Sequence, residues 1–256
     1  MADANPAADF DEIAGSYDRL RPMDAGWWEV FEALVCAGDL IGRRTLDAGC
    51  GTGTLAAALA ERGGKVWGID RSPEMLEQAR ARHASPRFKE ASAESLPFKD
   101  GWFERAVMRL SLHLLDRQQA LAEAARVLVA GGRIAVATFD PAHFGRYWLT
   151  EFFPSIEAID RARFPDAATL AAELQAAGFE DVQIEPLSQV GSIGRAEALE
   201  RIRGRYISTL RLLDAEEYER GLDQAERGLS EQIDYRLEWL IAVATKPGLD
   251  AVRMRG

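Results

Sequence analysis

Residues Thr45–Asp70 read TLDAGCGTGTLAAALAERGGKVWGID, and the fold of the chain turns on this stretch. A short apolar run ends in Asp47, Gly49, Gly51 and Gly53 follow at alternate positions, and an alanine-rich helix begins near Thr54. The pair Gly63–Gly64 ends that helix as a left-handed C-cap requires, and a second apolar strand, KVWGI, runs to Asp70. Strand, glycine loop, helix and strand make a βαβ unit with a ligand site at its mouth. The glycines let the chain turn sharply and let a ligand lie on bare backbone, where a Cβ would collide. The helix N-terminus offers unpaired N–H groups to an anion. Asp70, at the tip of the second strand, is placed to accept both hydroxyls of a ribose. Together these features describe a site for an adenosyl group.

Two adenosyl ligands compete for it. Gly51, Gly53 and Ala56 satisfy the dinucleotide pattern G-x-G-x-x-G/A, which admits a nicotinamide cofactor. The glycines, however, run G-x-G-x-G from Gly49, and Asp47 stands directly before them. A carboxylate there crowds a pyrophosphate but suits an ammonium group. S-adenosylmethionine carries an ammonium, a carboxylate and a ribose, and no phosphate.

Several separate segments resemble the class I S-adenosylmethionine-dependent methyltransferases, nearest in kind to the branch acting on small molecules and quinone precursors. LDAGCGTG resembles the first motif, GIDRSPEMLEQAR the second strand and its helix, ASAESLPFKDGWFE the adenine-side loop, and EAARVLVAGGRIAVATF the helix, glycine turn and fifth strand. The resemblance runs from about Phe10 to Asp140. It implies an α/β fold, doubly wound and Rossmann-like, with a seven-stranded mixed sheet whose antiparallel last strand inserts between the fifth and sixth. It implies S-adenosyl-L-methionine as cofactor and S-adenosyl-L-homocysteine as product. It places Asp47, Gly49, Cys50, Gly51 and Gly53 in the glycine loop, and Asp70, Arg71 and Met75 at the ribose and adenine. Ser92 and Ala93 lie at the adenine amino group, with Glu94 capping or facing solvent, and Arg109 and Leu110 at the end of the fourth strand. An N-terminal helical lid, residues 10–40, brings Tyr17 of the SYD triplet and Arg21 to the methionine moiety. The chain departs from the family at Ser92, where an aspartate is usual, at Glu104, and at Ala130 in place of a proline.

At 256 residues with 47% hydrophobic side chains the chain suits a single domain with a large core. Its formal net charge of −10 disfavours general affinity for nucleic acid or an anionic membrane. Cys36 and Cys50 have neither metal-ligand spacing nor a disulfide framework, so no metal is expected. No signal peptide or membrane-length apolar run is read, which leads to a cytoplasmic enzyme, monomer or homodimer. The opening residues, MADANPAAD, are expected to fray.

His113, in the turn after the fourth strand, is the candidate general base, since imidazole titrates near working pH. Glu104 and Arg105 read as a surface ion pair. Asp116 and Gln119 form a capping box for the next helix, which Gly131–Gly132 close. Beyond the core (41–140), two substrate-side helical insertions are expected at 141–164 and 191–234. The first is aromatic, with Phe144, Tyr147, Trp148, Phe152 and Phe153. The second sets Leu199, Ile202, Tyr206, Leu210 and Leu213 on one stripe and reads as two helices joined near Asp214. DVQIEPL and EWLIAVAT are the sixth and seventh strands. Trp27, Trp28, the Phe144–Trp148 stretch, Arg205 and Tyr206 then line a pocket for an apolar or aromatic small molecule. The rival readings are an RNA or protein methyltransferase docking through the arginines of Arg195–Arg211, a non-catalytic binding module, and a nicotinamide oxidoreductase.

Overall fold

The computed structural model describes residues 10–248, so the stretch MADANPAAD lies outside the described residues. A 3-10 turn at Asp11–Ile13 and one helical turn, α1 (Tyr17–Leu20), lead into α2 (Ala25–Gly38). Then β1 (Arg44–Ala48), α3 (Thr54–Glu61), β2 (Lys65–Asp70), α4 (Pro73–Arg82) and β3 (Arg87–Glu90) follow. β4 (Phe103–Arg109), α5 (Arg117–Val127) and β5 (Leu128–Phe139) complete the alternation. Two 3-10 turns, Pro141–Arg146 and Trp148–Glu151, precede α6 (Ser155–Arg163) and α7 (Ala167–Ala176). β6 (Glu180–Gly194) is joined to the last strand, β7 (Gln232–Thr245), through α8 (Arg195–Arg203), a 3-10 turn at Ser208–Arg211 and α9 (Ala215–Gly228).

The strands form one seven-stranded sheet in the order β3-β2-β1-β4-β5-β7-β6, with β7 antiparallel to both neighbours, as expected. Alternation along each inner strand feeds two cores. Ala106 and Met108 of β4 with Ile134 and Val136 of β5 face the side covered by α5 and α7. Val107, Ala135 and Ala137 face α2 and α3, against Phe31, Leu34, Leu55 and Leu59. Each fully buried Leu or Phe contributes about 1.5–3 kcal/mol relative to exposure. The helices start where their caps dictate: Asp24, Ser72, Asp116, Asp166 and Asp214 each accept a backbone N–H from the first turn.

Several expectations need correction. α5 ends at Val127, and Gly131–Gly132 instead bend the start of β5, with Gly131 at φ 74° donating its N–H to the Lys246 carbonyl. Glu104 and Arg105 do not pair. Glu104 accepts the Arg44 N–H, while Arg105 is buried and donates to the Gly38 carbonyl at 2.9 Å and the Asp39 carboxylate, closing the C-terminus of α2. The insertion expected over 191–234 starts and ends as strand, because β6 and β7 pair in register as far as Gly194 and Gln232. The segment over 195–211 is also broken: α8 stops at Gly204, and Arg205 takes φ 45°.

A third core sits above the strand tips and joins Tyr147, Phe152, Phe153 and Ile156 to Ile202, Tyr206, Leu210 and Tyr218. Gly221 of α9 lies against Phe153 there, and an added Cβ would overlap the ring and approach the Phe152 carbonyl oxygen to 2.6 Å. Helix propensity alone predicts that Gly221→Ala stabilises the protein by about 1 kcal/mol. Overpacking costs about 1–3 kcal/mol, so a net loss of stability is expected in denaturant unfolding. A gain would show that α9 does not pack on Phe153.

Candidate active site

The tips of β1, β2 and β4, together with the N-terminal segment and the third core, enclose a cavity of about 690 Å³, a volume usual for small-molecule sites. Its two halves differ in chemistry.

In the first half, Gly49, Gly51 and Gly53 adopt φ 78°, 52° and 79°, the left-handed region that favours glycine. A Cβ at Gly49 would overlap Ser111, whereas one at Gly51 would meet nothing within 4 Å on its open side. Gly53 is a correction: it does not line the cavity, and a Cβ there would meet the Phe88 ring at 2.6 Å, so its smallness serves packing on β3. Cys50 lines the loop and is buried. Asp70 holds the loop in shape, its carboxylate accepting the Gly51 N–H at 2.8 Å and the Ser72 N–H at 3.0 Å. Burial raises its pKa against the pull of those two donors.

Arg71, Met75, Ser92 and Ala93 line the next stretch, with Met75 buried beneath it. The Ser92 hydroxyl donates to Glu94 and accepts the Glu94 N–H, which leaves one oxygen lone pair for a ligand. Glu94 itself does not line the cavity: its other oxygen accepts the Asp116 N–H at 2.6 Å, so it braces the start of α5. Tyr17 and Arg21 reach the cavity from α1. That turn is tied down over the loop by Asp18, which accepts from Thr52 at 2.6 Å and from Arg82, while Ser72 donates to Asp11.

Asp47 lies at the centre. It is 1% exposed, and its Oδ2 has no hydrogen-bond partner among the described residues. Burial, aided by the charge of Asp70 and opposed by Arg109, pushes its pKa up to about 7. A buried carboxylate oxygen without a donor is costly unless a ligand supplies one. An ammonium does so, and a pyrophosphate cannot.

The second half is aromatic. Phe139, Phe144, Tyr147, Trp148, Phe164 and Trp239 line it, with Trp27 at the border. The Tyr147 and Tyr206 hydroxyls share a hydrogen bond, and burial raises both above the usual phenol value, so both stay protonated. Two residues expected here are elsewhere: Trp28 is exposed, and Arg205 lies over the Tyr218 ring at 3.7 Å within the third core. Phe152 and Phe153 pack in that core as well.

His113 reaches the cavity, stacked on Phe164 at 4.0 Å with its Nε2 3.5 Å from Ser208 Oγ. Burial, then the charges of Arg163 and Arg21, push its pKa well below 6.5. Titration near neutral pH therefore does not occur there. Sequence reasoning missed His143, which is buried between Phe139 and Tyr147 with its pKa lowered to about 4 by burial. It also missed Asp160, which lies on the helix of the insertion expected over 141–164 and accepts from Arg163 and Thr209 in a buried cluster beside the cavity. The only signal for His143 was its place inside an aromatic run.

Arg109 and Leu110 stand between the halves. Leu110 takes φ 52°, an uncommon conformation for a non-glycine residue and of the kind that collects at functional sites. Among the described residues no group of His, Cys, Asp and Glu could hold a metal, and no helix is long and apolar enough to cross a membrane.

Known proteins resemble this chain in sequence and in fold. The methyltransferase domain family matches residues 46–136. A demethylmenaquinone methyltransferase of Clavibacter sepedonicus is 32% identical over 204 residues, covering 69% of this chain and 83% of the relative. A malonyl-[acyl-carrier protein] O-methyltransferase of Pectobacterium atrosepticum is 37% identical over 130 residues, 50% of this chain and 51% of the relative. The crystal structure of YcgJ from Bacillus subtilis superposes with a TM-score of 0.65 at 20% identity, over 86% of this chain and 99% of that one, which shows the shared fold.

Proposed function

The chain belongs to the class I S-adenosylmethionine-dependent methyltransferases, and we propose that its acceptor is a small planar aromatic molecule held in the second half of the cavity. The observation that carries this reading is the continuity of one cavity from Asp47 and the glycine loop to the aromatic walls. In this reading Asp47 takes the cofactor's ammonium, Arg21 beside Tyr17 its carboxylate, and Asp70 its ribose. Arg71, Met75, Ser92 and Ala93 flank its adenine. The bound cofactor supplies a methyl group made electrophilic by its sulfonium.

The chain's own part is to align the acceptor and exclude water, effects worth roughly 7–11 kcal/mol in favourable intramolecular systems. Tyr147 and Tyr206, held protonated, offer a hydroxyl donor to an acceptor oxygen. His113, held neutral against Phe164, is a wall and a hydrogen-bonding group of low basicity. The relative of Clavibacter sepedonicus is named for a quinone acceptor, which supports a ring-bearing small molecule here.

The arginines of the 195–211 segment argue against a nucleic-acid acceptor. Arg195, Arg201 and Arg203 engage Glu231, Glu197 and Glu226, Arg205 lies over Tyr218, and Arg211 pairs with Glu12. No free basic face is left along the segment. Cys36 is an exposed unpaired thiol, which suits the reducing cytoplasm.

Transfer of a labelled methyl group from S-adenosylmethionine to a panel of flat phenols and quinols tests the proposal. Alanine at Tyr147, Trp148 and Tyr206 together is expected to lower turnover of an identified acceptor at least tenfold. Binding of S-adenosylhomocysteine should survive. Unchanged turnover in that variant would dismiss the aromatic pocket.

A further inference from the structure

The cationic groups facing the cavity are unequally partnered. Arg201 pairs with Glu197, and Arg71 lies exposed at the adenine end. Arg21 and Arg109 have no carboxylate within ion-pair distance among the described residues. They are near enough to repel each other, and Arg109 is the deeper of the two. Its guanidinium lies over the Trp27 ring at 5.3 Å and the Trp239 ring at 5.7 Å, its Nε is buried without a partner, and the surface it keeps faces the cavity. Burial lowers its pKa to about 10, which marks the cost of an unanswered cation there.

The cofactor brings a single carboxylate, and two guanidiniums await it. Arg21, on the segment folded over the glycine loop, is placed to take that carboxylate. Arg109 belongs instead to the aromatic half, because Trp239 packs against Phe139 with ring centroids 4.3 Å apart and Phe139 leads on to Phe164. Two indole faces hold the guanidinium flat, which leaves its N–H fork to meet a planar two-oxygen anion edge-on.

Building on the planar-acceptor reading above, we infer that the acceptor is an aromatic acid and that Arg109 binds its carboxylate. The charge balance agrees. With Asp47 and Asp70 ionised, Arg21, Arg109 and a cofactor carrying ammonium, carboxylate and sulfonium leave one net positive charge at the centre. One acceptor carboxylate cancels it. Arg109 is thereby a specificity-determining residue and no part of the cofactor site, where its position on the fourth strand had first grouped it.

The test uses the full chain saturated with S-adenosylhomocysteine and a matched pair of probes, 2-naphthoate and its neutral isostere 2-naphthamide, in calorimetry. Naphthoate is expected to bind at least tenfold tighter than the amide. Arg109→Gln should erase that preference while S-adenosylhomocysteine affinity, measured at pH 8 where the loss of the Arg109 charge beside Asp47 counts least, falls far less than naphthoate affinity, and Arg109→Lys should keep part of the preference. Equal binding of both probes to the unmodified protein overturns the inference and leaves the planar-acceptor reading standing, whatever the variants do. Binding of neither probe overturns both. A preference that survives Arg109→Gln, or a loss of S-adenosylhomocysteine as large as the loss of naphthoate, assigns the carboxylate elsewhere and ends the proposal.

Discussion

Asp70→Ala is expected to weaken S-adenosylhomocysteine binding about a hundredfold or more in calorimetry, on the basis of two hydrogen bonds to a charged acceptor at about 1.5–3 kcal/mol each. The carboxylate does two things. In the proposed binding mode it meets the ribose hydroxyls, and it already accepts the Gly51 and Ser72 N–H groups that set the loop's shape. Removing it leaves two loop donors without their acceptor and the ribose without its partner. Asp70→Asn keeps one carbonyl oxygen and the side-chain volume, so it should fall between, at about tenfold. Of the helix caps Asp70 touches only Ser72 of α4, through one backbone N–H, and Ser72 keeps its own side-chain bond to the Met75 N–H, so far-ultraviolet circular dichroism of the two variants should match the parent. A loss smaller than threefold in Asp70→Ala would show that the ribose does not lie on this strand tip.

The β1–α3–β2 unit was legible because local chemistry and tertiary demand agree there. Gly49 and Gly51 must be glycine for backbone reasons, Asp70 must end its strand, and Ser72–Pro73 can only start a helix. The caps at Asp116 and Asp214 were legible for the same reason. Legibility failed where a side chain's role depends on a partner far along the chain. Arg105 follows Glu104 and reads as its neighbour's counter-ion, yet strand alternation sends it inward to the end of α2, where Asp39 and two backbone carbonyls meet it.

The extended β6–β7 pair was hidden because its outer half is polar and interrupted by glycines, with Val190 exposed, so no apolar alternation marks it. Gly191 is needed there because a Cβ would strike the Tyr235 ring, a reason that exists only in three dimensions. His113 and His143 show the same limit. Residue type suggests titration near neutrality, and burial among aromatic rings removes it.

Asp47 makes the second large prediction, because one group should give opposite pH slopes in two experiments. Its ordinary value of 3.8 is raised to about 7 in the folded protein, chiefly by burial. In the ligand-free protein the folded state therefore holds a proton that the unfolded chain gives up. The stabilising contribution is fully present below 3.8 and is lost as pH rises through about 7. Ligand binding runs the other way, since an ammonium needs the ionised carboxylate.

Affinity for S-adenosylhomocysteine should rise with pH and level off above neutrality, being about thirtyfold weaker at pH 5.5 than at pH 8, as a single site of this pKa requires. Binding at pH 7 should also release about half a proton, read from calorimetry in buffers of different ionisation heat. Asp47→Asn keeps the shape and removes the titration. Its affinity should be low and flat across this range, near the parent's acid-side value, and its thermal stability should lack the parent's decline between about pH 4 and pH 7. A flat affinity curve in the parent protein would mean that Asp47 stays ionised without ligand. An Asp47→Asn variant that binds S-adenosylhomocysteine as tightly as the parent does at pH 8 would instead mean that the ammonium is held elsewhere in the cavity.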